Sequence, residues 1–192
     1  MSVCKETSTI LLTTMKNDNK VQPAKAPIPI VSSEHLASED SWPLSELEYG
    51  LIISYNAFSR WMIRCMQGAG HADFSPLDVL VLHNVNHRDR QKKLVDICFV
   101  LHIEDQHTVN YSLKKLVKAG LVERQKHGKE IYYSTSEEGK EACQQYRDVR
   151  EKCLTSGYRN LDRDGEEVSQ AAALLRLMSG LYDQASRAAS SL

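Results

Sequence analysis

The stretch HTVNYSLKKLVKAGLVERQKHGK, residues 107–129, opens with hydroxyl and amide side chains, passes three lysines, and runs through one glycine into a basic segment around a second. At a period of 3.6, Val109, Leu113, Leu116 and Val117 share one face of a helix. That leaves Thr108, Asn110, Tyr111, Lys114, Lys115 and Lys118 on the remainder, and puts Gly120 where a helix C-terminus favours glycine. Strand-like runs at 121–125 and 130–135 then flank a tip of Lys126, His127, Gly128 and Lys129, where Gly128 allows a tight hairpin.

Just upstream, Leu94, Ile97, Cys98 and Leu101 define a short helix, separated from the first by the polar turn Glu104, Asp105, Gln106. Two helices in this order form a helix-turn-helix, whose second helix puts its N-terminal part into the major groove of DNA. Thr108, Asn110 and Tyr111 can bond base edges or phosphates, and Lys114, Lys115 and Lys118 can neutralise the backbone. Between residues 105 and 131 six basic residues face three acidic ones, in a chain of formal net charge -1. A lysine-rich helix face taken alone is usually only a solvated face. A basic hairpin directly behind it is what points to a duplex, with Lys126, His127 and Lys129 on backbone or minor groove and Arg124 at the hairpin base.

The 192 residues suit one folded unit with appendages, and a pI near 6.7 excludes a generally basic nucleic-acid binder. Five scattered cysteines without a C-x-x-C pair argue against a disulfide framework or zinc ribbon and for a reducing cytoplasm. No run is long and apolar enough for a membrane span. Residues 1–43, with Pro23, Pro27, Pro29 and Pro43, read as an arm. From 44 to 70 the stripe Leu47, Leu51, Tyr55, Phe58, Met62 and Cys65 predicts a long amphipathic helix. Ser75, Pro76 and Asp78 supply the N-cap, first-turn proline and N3 acid of a helix ending near 87–89. After the hairpin, Ser136 with Glu137 and Glu138 starts a helix bearing Ala142, Tyr146, Val149 and Cys153. A last helix, about 164–189, carries Val168, Ala172, Leu175, Met178 and Tyr182 beside Leu174, Leu177 and Leu181, a band wide enough to pack against something outside the subunit.

The segments FSPLDVLVLHNV (74–85), KLVDICFVLHIEDQHTVNYSLKKLVKAGLVER (93–124) and KEIYYSTSEEGKEA (129–142) resemble the winged-helix regulators of the MarR family. The resemblance implies a mainly α fold with a small β-hairpin wing, assembled as an obligate homodimer. Residues 44–70 and 136–190 would form the dimerisation helices and 74–135 the DNA-binding lobe. Two such lobes would bind a pseudo-palindromic operator, with reader helices about 34 to 36 Å apart. Small molecules or oxidants often release the DNA in this family, from a pocket between the dimer helices and the winged lobe; Tyr55, Arg60, Arg64 and His83 are effector candidates by position. The sequence departs from the family at the wing tip, where Lys126, His127, Gly128 and Lys129 replace the usual acid and arginine pair, and in its longer N-terminal arm. The alternative is a winged-helix dimer that turns its basic face to a protein partner.

Other constellations point less far. His83 and His87 have the spacing of two metal ligands on one helix, but polar packing near the helix end is the favoured account, so no metal is assigned. The run from Asn160 to Gly165 imitates a calcium loop, yet Ala171 stands where a bidentate glutamate is required; a turn with Asp164 as N-cap and Glu167 closing a capping box fits better. Cys65 and Cys153 read as buried structural thiols. With no nucleophile elbow, H-E-x-x-H or phosphate-binding glycine loop, neither an enzyme nor a cofactor is indicated.

Overall fold

A computed structural model describes residues 41–160 and 165–192 of the chain. Most of the expected arm, the calcium-like run and the Asp164 cap lie outside the described residues. The chain divides after Gly50 into two units. In the first, residues 41–50 open helix α1, Trp42–Gly68, with Pro43 in its first turn, where a missing N–H costs no helical bond.

From Leu51 onward the order is the remainder of α1, then α2 (Pro76–Asn86), α3 (Leu94–Leu101), α4 (Gln106–Lys118), β1 (Val122–His127), β2 (Glu130–Thr135), α5 (Glu137–Arg150), a π-turn at Glu151–Thr155, α6 (Ser156–Arg159) and α7 (Gly165–Ala189). The fold is mainly α with one antiparallel hairpin, paired from Val122 with Thr135 to His127 with Glu130. Its first strand reaches two residues closer to the tip than the sequence pattern implies, and its second matches that pattern. Gly128 takes a φ of 62° in the two-residue turn.

One core joins Met62, Cys65 and Met66 of α1 to Val79, Val81, Leu82 and Val85 of α2, Ile97 of α3, Val109, Leu113 and Leu116 of α4, Val122 and Tyr133 of the hairpin, and Ala142 and Tyr146 of α5. The expected α1 stripe is therefore split. Its last turns enter this core, whereas Tyr55 and Phe58 stay exposed, as do Ile52 and Ile53. On α7 only Met178 is buried, and Leu174, Leu177 and Leu181 face outward. Cys65 is buried as expected, its thiol donating to the Tyr146 carbonyl oxygen at 3.3 Å, but Cys153 is exposed: the π-turn in which it lies buries no side chain.

Two connections were not legible as patterns. Lys92, just before α3, is 6% exposed, and its ammonium donates to the carbonyl oxygens of Asn84, Val85 and His87 at the end of α2. A cation there satisfies carbonyls that the helix leaves unpaired and sits at the negative end of its dipole. The Lys92 backbone also exchanges hydrogen bonds with Tyr133, N–H to O 2.9 Å and 2.8 Å, which adds a one-residue third strand to the hairpin.

At the hairpin's base, Ser136 gathers three segments. Its hydroxyl donates to Gly120 O at 2.6 Å and accepts from Gly139 N at 3.0 Å, and its N–H donates to Leu121 O at 3.2 Å. Helix α5 thereby starts against the turn that ends α4. A Cβ on Gly139 would lie 2.0 Å from the Leu121 carbonyl oxygen, so the glycine of the S-E-E-G sequence is imposed by backbone against backbone. Gly139→Ala should destabilise the fold by about 1–3 kcal/mol despite alanine's better helix propensity. Urea unfolding measures it, and an unchanged or raised midpoint would show that α5 yields without cost.

Candidate nucleic-acid interface

The reader helix α4 begins at Asp105, whose carboxylate accepts from His107 N at 2.9 Å as the N-cap. The turn before it needs a left-handed residue, and here that residue is His102, φ 54°, rather than glycine. Val109, Leu113 and Leu116 are buried in the core together with Ser112, so the outer face is fixed in rotation. Thr108, Tyr111, Lys114 and Lys118 are exposed, Tyr111 at 71%; Asn110 is half-buried. The Thr108 hydroxyl donates to Asp105 O at 2.8 Å and so helps hold the helix start.

Asn110 and Lys114 meet Arg124, Ile131 and Tyr133 around a groove of about 470 Å³ between α4 and the wing. Arg124 thus stands beside the reader face as well as at the hairpin base. Lys126, His127 and Lys129 are all exposed at the tip, and the His127 ring meets Tyr132 edge-on at 5.3 Å. Of the wing's two acids, Glu123 is exposed, whereas Glu130 accepts from Lys93 Nζ at 2.5 Å and from the Tyr132 hydroxyl at 2.8 Å and so is not free to repel a phosphate. These bonds, that from Lys93 foremost, hold the Glu130 carboxyl below the ordinary value. Lys93 also lies over the Tyr132 ring, 5.4 Å from its centre. Its part in tethering the wing to α3 has no spacing signal, since it spans 37 residues.

Lys115 is paired on this face. Instead of standing free beside Lys114, its ammonium donates to Asp78 Oδ2 at 2.7 Å and lies 5.3 Å from the centre of the Phe74 ring. Asp78, 2% exposed, is also the N3 acid of the α2 capping box, accepting from Ser75 N at 2.8 Å while its own N–H donates to Ser75 Oγ at 3.2 Å. Burial pushes the Asp78 carboxyl up, but hydrogen bonds from Lys115, Ser112 and Ser75 outweigh it and leave the group below its usual value. The outer side of α3 is unexpectedly apolar, with Phe99 exposed at 83% beside Val95 and Val100.

Behind the reader lies a cavity of about 570 Å³ walled by α1, α2 and α5. Phe58, Trp61, Met62 and Leu80 supply apolar surface, and Lys140, Arg147 and Arg150 supply positive charge with no acid in the lining. Of the effector candidates only His83 lines it. Tyr55, Arg60 and Arg64 do not: Tyr55 and Arg60 are exposed and Arg64 turns to Gln67 Oε1 at 2.9 Å. The rotation of α1 that buries Met62 and Cys65 decides this. His83 packs against Tyr146, ring centres 4.5 Å apart, and its Nε2 is buried with no partner among the described residues, whereas His87 is exposed. Among the described residues no three metal-ligating side chains converge.

Burial holds the His83 imidazole below its usual value. As pH falls through about 6.5, the ordinary histidine value, the unfolded chain takes up this proton before the folded one, so folded-state stability drops. His83→Phe should flatten the decline in unfolding free energy between pH 7 and 5. A wild-type-like slope in the variant would show that His83 does not cause it.

Residues 74–139 match a family model described as a winged helix DNA-binding domain. No curated protein matches the sequence. Among solved structures, the transcriptional regulator BldR from Sulfolobus solfataricus aligns with TM-score 0.59 at 14% identity, over 73% of this chain and 99% of that one. Staphylococcus aureus MarR in complex with salicylate and kanamycin aligns with TM-score 0.58 at 12% identity, over 72% and 91%. A mutant MarR from E. coli complexed with operator DNA aligns with TM-score 0.52 at 19% identity, over 67% and 93%. Residues 74–139 are thus similar to a winged helix DNA-binding domain, set within a chain that has the fold of solved MarR-type transcriptional regulators.

Proposed function

We propose that the chain is a homodimeric, sequence-specific transcriptional regulator of the MarR type that binds a pseudo-palindromic operator and answers to a small-molecule effector. The observation that carries the reading is the shared groove of reader helix and wing, where Asn110, Lys114 and Arg124 stand together on a face left open to solvent. Asn110 and Tyr111 specify bases, while Lys114, Lys118 and Arg124 hold phosphates and Lys126, His127 and Lys129 extend the contact from the wing. The operator DNA bound by the E. coli relative supports this assignment.

The exposed apolar rows of α1 and α7, Ile52, Ile53 and Phe58 on one and Leu174, Leu177 and Leu181 on the other, support a dimer in which partner helices cover them. The cavity behind the reader, apolar on its walls and cationic at Lys140, Arg147 and Arg150, suits a small amphipathic anion as effector. Salicylate in the S. aureus relative is of that chemical kind. The exposed Phe99 on α3 favours the second reading, a lobe that also meets a protein partner.

Selection of genomic DNA fragments at near-physiological salt, with a Tyr111→Ala, Lys114→Ala double variant in parallel, tests the reading. An inverted repeat enriched by the wild type alone is expected; equal weak enrichment by both proteins would remove the reading and leave the protein partner. On the selected duplex, Lys114→Ala should weaken binding to every sequence and lower the salt slope by about 0.9. Asn110→Ala should instead relax base preference, by about 1–3 kcal/mol at one position. Matching effects of the two single variants on all sequences would cancel this division of labour.

A further inference from the structure

The pair Asp78–Lys115 does something that neither a capping box nor a phosphate contact requires. It links the first turn of α2 to the last turn of the reader helix through a carboxylate that has almost no access to water. That carboxylate is itself immobilised, because Ser75 N donates to the same Oδ2 at 2.8 Å and Pro76 starts the helix that carries it. On α4, Lys115 is one turn after Tyr111, about 6 Å along the axis at 1.5 Å per residue. Lys115, Tyr111 and Thr108 border one groove with Ser75, Leu77 and Asp78. The apolar face of α4 sets its rotation only as finely as side-chain packing allows, whereas a bond to a fixed buried oxygen pins one point of the outer face. Reading base edges demands that finer setting, since recognition groups must be held within about 0.5 Å of their working positions.

We infer that Asp78 is a specificity-determining positioning residue: acting through Lys115, it fixes the rotation of α4 and thereby the placement of Asn110 and Tyr111. Lys115 then directs its charge to Asp78 and neutralises no phosphate. The inference rests on the DNA-binding reading of the previous section and goes beyond it, because Asp78 lies beneath the surface that DNA would touch.

The test compares affinity for the inverted repeat recovered by selection with affinity for a scrambled duplex of equal length, across a salt series. Asp78→Asn keeps an oxygen for Ser75 N but removes the charge. It should lower the ratio of the two affinities at least tenfold while leaving scrambled-duplex binding within twofold or stronger. Lys115→Met should lower the ratio similarly with an unchanged salt slope on the scrambled duplex, and Lys115→Arg should restore the ratio. If either single variant fails to fold, the double variant Asp78→Asn, Lys115→Met leaves no buried charge alone and carries the same expectation.

In the free proteins, amide exchange over residues 106–112 should quicken in Asp78→Asn relative to α5. A salt slope lowered by about 0.9 in Lys115→Met would make Lys115 a phosphate contact and overturn the inference. So would an unchanged ratio in variants of a selective wild type, or unchanged exchange in the free protein. A wild type that does not distinguish the two duplexes would overturn both this inference and the DNA-binding reading.

Discussion

Helix α2 is held at both ends by lysines from elsewhere in the chain, and the rest of the lobe is arranged on it. At its C-terminus the Lys92 ammonium sits among three carbonyl oxygens, a site where burial foremost, and then Arg90 and Arg88, hold its pKa below the usual lysine value. At its N-terminus Asp78 binds Lys115 of the reader helix. Buried polar groups of this kind are costly unless every one is bonded, so each contact tolerates little displacement. One lysine brings the hairpin in through the Tyr133 bridge, the other aligns α4, and the cavity wall carries Val79, Leu80 and His83 from the same helix. The same helix therefore lines the candidate effector space and carries Asp78, the partner of Lys115 on the candidate reader helix.

Charge is distributed by a similar economy. The chain is nearly neutral, and the surface that faces outward from α4 and the wing is basic in part because most acids beside it are bonded, Glu123 on β1 being the exposed exception. Asp78 is buried under Lys115, Glu130 is bonded by Lys93 and Tyr132, and Asp105 caps α4. A count of residues understates the field such a face presents, since a bonded carboxylate offers a phosphate little repulsion. The same pairing removes Lys115 from the set of free cations, so the face is basic through fewer residues than its lysines suggest.

Local signals in the sequence were legible where one residue type has one physical use. Ser75 and Asp78 form the capping box that their spacing predicts, Ser136 caps α5, and Gly120 takes the positive φ of a helix end, 76°. The period of Val109, Leu113 and Leu116 fixed the buried side of α4. The left-handed residue of the helix-turn-helix was not legible because histidine, His102, holds a place usually marked by glycine. Lys92 and Lys93 looked like solvated lysines for a related reason. A buried ammonium and an exposed one share the same letter, and the partners of these two lie 5 to 37 residues away.

Sequence by itself determined the order and type of the elements, the basic reader with its wing, and the apolar rows of the outer helices, because helical period, caps and turn residues act over a few positions. Tertiary structure decided which of those side chains remain available. It turned α1 so that Met62 and Cys65 enter the core while Tyr55 lies outside the cavity, exposed Cys153, and paired Lys115 with Asp78. Those outcomes depend on contacts between residues far apart in the chain, where no spacing rule reaches and only packing and the cost of burying charge choose the partner.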